Sequence, residues 1–120
     1  MGLDMYAYMT TETPAQPVDF KVTDASQFFY WRKHPDLHGW MEDLYREKGG
    51  QEQFNCVPVQ LTAEDLDRLE GAILKRELPN TEGFFFGDSD GSEIEDDLAF
   101  ITNARKAIIE GYTVFYDSWW

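Results

Sequence analysis

Between Leu3 and Met9 the chain alternates. Apolar side chains at 3, 5, 7 and 9 are separated by Asp4, Tyr6 and Tyr8. A period of 2 belongs to a β-strand with one buried face. Such a strand needs partner strands and a cover for its inner face, and the remaining residues must supply both. Three later stretches supply the cover at helical spacing. Pro35 suits a first helical turn, where its missing N–H is not needed. Leu37, Trp40, Met41 and Leu44 follow at i, i+3, i+4 and i+7, and Gly49-Gly50 ends the run. Thr62 reads as an N-cap, with Asp65 at the capping-box position and Leu61 and Leu66 at the spacing of a hydrophobic staple. Leu66, Leu69 and Ile73 continue that stripe until Pro79-Asn80 breaks it. Ile94, Leu98, Ile101 and Ile108 trace a third helix, which Gly111 can close.

The partner strands are less regular. Thr10–Pro17 reads as a loop, and Val18–Val22 as a more polar strand suited to an edge. Asp24–Gln27 reads as a polar turn, and Phe28–Arg32 as extended, being dense in β-formers. Phe54–Leu61 is extended, with Pro58 marking an edge or bulge. The run Gly83-Phe84-Phe85-Phe86-Gly87 has the character of a strand covered on both faces. Asp88–Ser92 is a turn and Tyr112–Tyr116 a last strand, with Trp119-Trp120 beyond it. Trp119 is expected to dock on the core behind that strand. Strands and helices mix too irregularly for a doubly wound sheet. The expected fold is α+β: a single domain over residues 1–120, about three helices on a mainly antiparallel sheet.

Composition narrows the function classes. The 120 residues are 42% apolar and 16% aromatic, too rich in core formers for a disordered acidic tail. No run approaches the ~18 apolar residues of a membrane span. Met1-Gly2-Leu3-Asp4-Met5 has neither a basic nor an apolar leader region, so no secretory signal is expected and a cytoplasmic setting is. Cys56 is the only cysteine, which excludes an internal disulfide and any cysteine-based zinc cluster. Acidic residues number 23 against 10 basic, a formal charge of −13. Such a surface repels nucleic acid and anionic membrane. It suits a basic partner, such as a protein that itself binds nucleic acid; its other service is solubility alone.

Several strings stand in order along the chain: Gly2-Leu3-Asp4-Met5-Tyr6, Tyr30-Trp31-Arg32-Lys33, His38-Gly39-Trp40, Asn55-Cys56 and Leu78-Pro79-Asn80-Thr81-Glu82-Gly83-Phe84-Phe85-Phe86-Gly87. Together they resemble a family of small uncharacterised proteins of tailed bacteriophages and bacteria. The resemblance implies a phage or mobile-element setting and no particular activity. Some members of that family bear the name phosphoglycerate kinase. A 120-residue domain cannot supply that enzyme's two-lobed cleft, and the chain has no G-x-x-x-x-G-K-[ST] phosphate loop.

Candidate chemistry gathers at five places. Tyr30-Trp31-Arg32-Lys33-His34-Pro35 is a basic island just before a helix, where free N–H groups and the helix dipole favour anions. Arg32 would grip a phosphate or carboxylate and Trp31 stack on a ring; otherwise Arg32 and Lys33 pair with carboxylates and Trp31 joins the core. His34 and His38 have the i, i+4 spacing of two metal ligands, but no third ligand follows from the sequence and no metal is expected. The plainer expectation is capping or exposure for His34 and a partly buried, satisfied imidazole for His38. Cys56 with His38 would make a nucleophile and base, and Asn55 would orient them; a small buried thiol is the structural alternative. Asp88-Ser89-Asp90-Gly91 has the look of a calcium loop, but Phe86 stands where its first aspartate belongs. Finally, Glu64, Asp65, Asp67 and Glu70 on the second helix and Glu93, Glu95, Asp96 and Asp97 on the third could present one acidic face; a solvated face is the alternative.

Two functional expectations follow, neither with a cofactor. One is a non-enzymatic phage-type protein whose acidic surface binds a basic host protein and blocks its nucleic-acid site, as a counter-defence inhibitor would. The other is a small-ligand or enzymatic domain with its anion site at Arg32 and Lys33, beside Trp31, His38, Asn55 and Cys56.

Overall fold

The alternating segment forms the first strand, β1 (Asp4–Thr10), in the computed structural model, which describes residues 2–82, 89 and 91–120. It is followed by β2 (Ser26–Arg32), α1 (Pro35–Glu47), β3 (Val59–Leu61), α2 (Ala63–Leu74), α3 (Ile94–Ile109) and β4 (Thr113–Trp119). The strands form one antiparallel sheet in the order β2-β1-β4-β3. Three helices on a four-stranded antiparallel sheet make the expected α+β domain. Its radius of gyration is 13.3 Å, against about 13.6 Å for a folded chain of this length.

Register sorts the side chains. Ala7 lies opposite both Phe29 and Tyr116, and Met5 opposite Trp31 and Ser118. These positions face the helices, where Met5, Ala7, Trp31, Val59, Leu61, Val114 and Tyr116 meet Leu37, Met41, Leu44, Leu66, Leu69, Ile73, Phe100 and Ile101 in one core. Each large side chain buried there contributes about 1.5–3 kcal/mol. The β1–β2 register shifts between Ala7 and Tyr8, leaving Phe28 as an extra residue on β2. The bulge lets two successive residues meet Phe100 of α3, Phe28 stacked and Phe29 edge-on.

Local signals account for the helix ends. Thr62 Oγ1 accepts from the Asp65 N–H at 3.2 Å, and Asp65 Oδ2 accepts from the Thr62 N–H at 2.9 Å, closing the capping box of α2. Leu61 and Leu66, the staple pair, are both buried. Lys48 closes α1, and Gly49 follows at φ +99°, a left-handed conformation that glycine adopts without strain. A Cβ on Gly50 would run into the Tyr45 ring.

Several expectations are corrected. Val18–Val22 is no strand: Val18 makes a single bridge to Val59, and Asp19 leaves the extended region at φ +54°. Ser26 and Gln27 belong to β2 rather than a turn. Only Val59–Leu61 of the 54–61 segment is strand, because Cys56 turns back at φ +60° and Pro58 lacks an N–H. The buried stripe of α3 runs through Asp97, Phe100, Ile101, Ala104 and Ala107, while Ile94, Leu98 and Ile108 are half-buried at its margin. The last strand continues to Trp119, which points away from the helices and is 64% exposed. Trp120 docks instead, its indole N–H donating to the Phe54 carbonyl at 2.8 Å. The strand expected at Gly83–Gly87 lies outside the described residues.

Candidate functional site

The basic island does not assemble into an anion site. Trp31 is buried, and its indole N–H donates to Asp97 Oδ1 at 3.1 Å. Arg32 lies on the opposite side of the sheet, its Nε 3.9 Å from Asp4 Oδ1. Lys33 is exposed at φ +55°, held through its backbone N–H to the Leu3 carbonyl. The N-terminus of α1 is already served from another segment: Ser89 Oγ accepts the Asp36 N–H at 3.1 Å.

The two histidines are both buried and point to different partners. His38 Nδ1 lies 2.7 Å from the Tyr116 hydroxyl, and burial pushes the imidazole down to about 4, so the ring is neutral near pH 7. His34 takes the N-cap position of α1, as the capping expectation had it, but it is buried and its side chain makes no cap bond. Its Nε2 lies 2.8 Å from Asp97 Oδ2 and its Nδ1 2.7 Å from Ser89 Oγ. No group of three metal-ligating side chains occurs among the described residues.

Cys56 is exposed rather than buried. Its thiol lies 3.5 Å from Asn55 Oδ1 and borders a hollow of about 360 Å³ with Tyr8, Phe115 and Asp117. Partial burial, then the Asp117 carboxylate, pushes the thiol up from its usual value, away from the thiolate a nucleophile requires. Asn55 is a clamp on the last residue. Its Nδ2 donates to the Trp120 carbonyl at 2.8 Å, and its Oδ1 accepts the Trp120 N–H at 3.0 Å. Cys56 thus touches Asn55, while His38 bonds the Tyr116 hydroxyl inside the core.

The eight carboxylates do not share one face. Asp65 is buried in the capping box and ion-paired with Lys48. Asp97 is buried against Trp31 and His34. Asp67 and Glu70 both hold Arg105, at 2.7 and 3.0 Å, and raise its pKa. Arg105 near the end of α3 meets Asp67 and Glu70 midway along α2, while Ile73 at the end of α2 and Arg76 just beyond it border the same cleft as Ile94 and Asp97 at the start of α3, so the two helices run antiparallel. Exposed Glu64 therefore lies at the opposite end of the pair from exposed Glu95 and Asp96 and half-exposed Glu93. Glu93 Oε2 accepts the Gly91 N–H at 3.0 Å.

Two arrangements that the sequence reading did not assemble remain. The first is the chain Trp31–Asp97–His34–Ser89. It borders a cleft of about 240 Å³ that Arg76, Leu78 and Glu93 also line. Hydroxyl, imidazole and carboxylate in that order can move a proton off the hydroxyl. The same bonds brace β2 and α1 against α3. No sequence motif joins residues 34, 89 and 97; only the tertiary fold does. The second arrangement is the sheet face away from the helices, with Tyr6 opposite both Tyr30 and Asp117, and Asp4 opposite both Arg32 and Trp119. The alternation of Asp4, Tyr6 and Tyr8 was its legible signal. Compared with family models, curated proteins and solved structures, the chain matches none.

Proposed function

We propose that this chain is an acidic, phage-type accessory protein that binds a basic host protein and occupies the surface on which that protein would take nucleic acid. A counter-defence inhibitor of a restriction or CRISPR complex would work in this way. The observation that carries the reading is uncompensated charge on a folded domain. The formal charge is −13. Of the acidic residues on α2 and α3, Glu64, Glu95 and Asp96 are exposed and enter none of the ion pairs formed among the described residues. A cationic partner would supply the missing counter-charge and be steered to it at low salt. The test immobilises the protein in bacterial host lysate at about 0.05 and 0.3 M salt. The expected result is salt-sensitive capture of a nucleic-acid-handling complex, whose DNA binding falls when free protein is added. Capture of no such complex, or no loss of its DNA binding, sinks the proposal.

A second reading, an enzymatic or small-ligand domain, has support in the Ser89–His34–Asp97 chain rather than at Arg32 and Cys56. A fluorophosphonate probe tests it. Ser89 Oγ would bond to phosphorus with loss of fluoride while His34 takes the hydroxyl proton. Labelling abolished by Ser89→Ala supports this reading, and no labelling overturns it.

A further inference from the structure

On the face of the sheet opposite the helices, two tyrosines and two aspartates surround Tyr6. Tyr8 and Asp4 flank it along β1, and Tyr30 and Asp117 lie across from it on β2 and β4. The ring centroids of Tyr6 lie 6.1 Å from Tyr8 and 5.5 Å from Tyr30. Tyr8 in turn stacks on Phe115 at 5.2 Å. Hollows of about 270 and 360 Å³ adjoin this row, one bordered by Asp4 and Trp119, the other by Tyr8 and Asp117. None of α1, α2 and α3 packs on this face. Tyr30 is 46% exposed and Trp119 64%.

The two carboxylates differ in what answers them. Asp4 accepts the Tyr30 hydroxyl at 2.6 Å and has Arg32 at 3.9 Å. Among the described residues, Asp117 accepts the neighbouring Ser118 N–H through Oδ1, at 2.7 Å, and no lysine or arginine pairs with it. Burial pushes its carboxyl up from the usual value, the mark of a charge short of compensation. Tyrosine faces attract cations, and a guanidinium stacks on such faces while its N–H fork reaches a carboxylate. Lys21 borders the same hollow without pairing with Asp117, and a carboxylate with no ion-pair partner among the described residues, set beside tyrosine rings, is complementary to a guanidinium.

We propose that the Tyr6–Tyr8–Tyr30 face with Asp117 is where this protein grips an arginine side chain of its basic partner. The guanidinium would stack on Tyr6 and Tyr8 and donate to Asp117. The inference rests on the proposed binding of a basic protein and names the surface responsible. A partner that presents arginines to nucleic acid would have them occupied here by rings and a carboxylate instead.

The test titrates the protein into fluorescein-labelled octa-arginine at low salt and reads anisotropy. Tyr6→Leu, which removes no charge, and Asp117→Asn are each expected to weaken binding about tenfold. Glu95→Gln with Asp96→Asn, which removes two charges elsewhere, is expected to weaken it less than about threefold. Circular dichroism checks that each variant folds. In the unaltered protein, the ring protons of Tyr6, Tyr8 and Tyr30 should shift on titration, which tests the site without any substitution. If the distal double variant weakens binding more than the sheet-face variants, or the tyrosine protons stay put, this site is wrong while binding of basic partners stands. If octa-arginine does not bind at all, both proposals fall.

Discussion

His38 shows how a single side chain ties stability to pH. Its ring lies 4.9 Å from Phe54 and 6.0 Å from Tyr116, with Nδ1 on the tyrosine hydroxyl. Burial holds its folded-state pKa near 4, against about 6.5 in an unfolded chain. Between those values the unfolded state binds a proton that the folded state refuses. Stability contributed by the neutral ring is therefore complete above about pH 6.5 and falls as pH drops towards 4, by roughly 3 kcal/mol in all. Urea titrations across that range should show this limb, and His38→Gln should flatten it. An unchanged slope in the variant assigns the limb to other groups. At the same scale, Cys56 and His38 were readable as residue types but not as neighbours. A thiol and an imidazole become a dyad only through geometry, and here one is exposed and the other enclosed.

Among the elements, α1 carries an unusual constraint at its centre. Gly39 interrupts a helix where alanine would be better by about 1 kcal/mol. A Cβ there would fall 2.9 Å from Thr81 Cβ and closer still to the Thr81 hydroxyl. Thr81 cannot simply retreat, because its N–H donates to Asp36 Oδ1 at 3.0 Å and its hydroxyl to the Pro79 carbonyl at 3.0 Å. Gly39→Ala is expected to destabilise by about 1–3 kcal/mol despite its helix propensity, and Thr81→Gly in the same chain should recover part of the loss. A more stable Gly39→Ala variant would show that the 79–82 segment yields freely. The rotation of α3 has a related origin. Small Ala104 and Ala107 let the helix approach the core, and Asp97 tolerates burial because two donors meet its oxygens.

For the whole molecule, the balance is between a tightly packed core and a surface that repels itself. Arg32, Arg46, Lys48, Arg68 and Arg105 each pair with carboxylates of their own chain, which leaves five cations against the more numerous remaining acids. Self-repulsion at −13 lowers the stability of the compact state, and salt screens it. The thermal midpoint should therefore rise by several degrees between about 0.02 and 0.5 M sodium chloride, the opposite of the salt dependence expected for partner capture. A midpoint that falls with salt would mean that favourable ion pairs outweigh the repulsion.

The three helices, the first strand, the capping box and the α+β class were all legible along the chain. Periodicity, caps and breakers act over a few residues. The sign and size of the charge were equally plain. What residues far apart do together came from the packing of the whole fold. Register on β1 turned Trp119 outward and left Trp120 to the Asn55 clamp. It set Asp117 among Tyr6, Tyr8 and Cys56, and the packing of α3 carried Asp97 to Trp31 and His34. Those pairings span from about 60 to more than 100 residues of sequence. They are settled by which faces the core must bury, a condition on the folded chain as a whole that no local pattern contains.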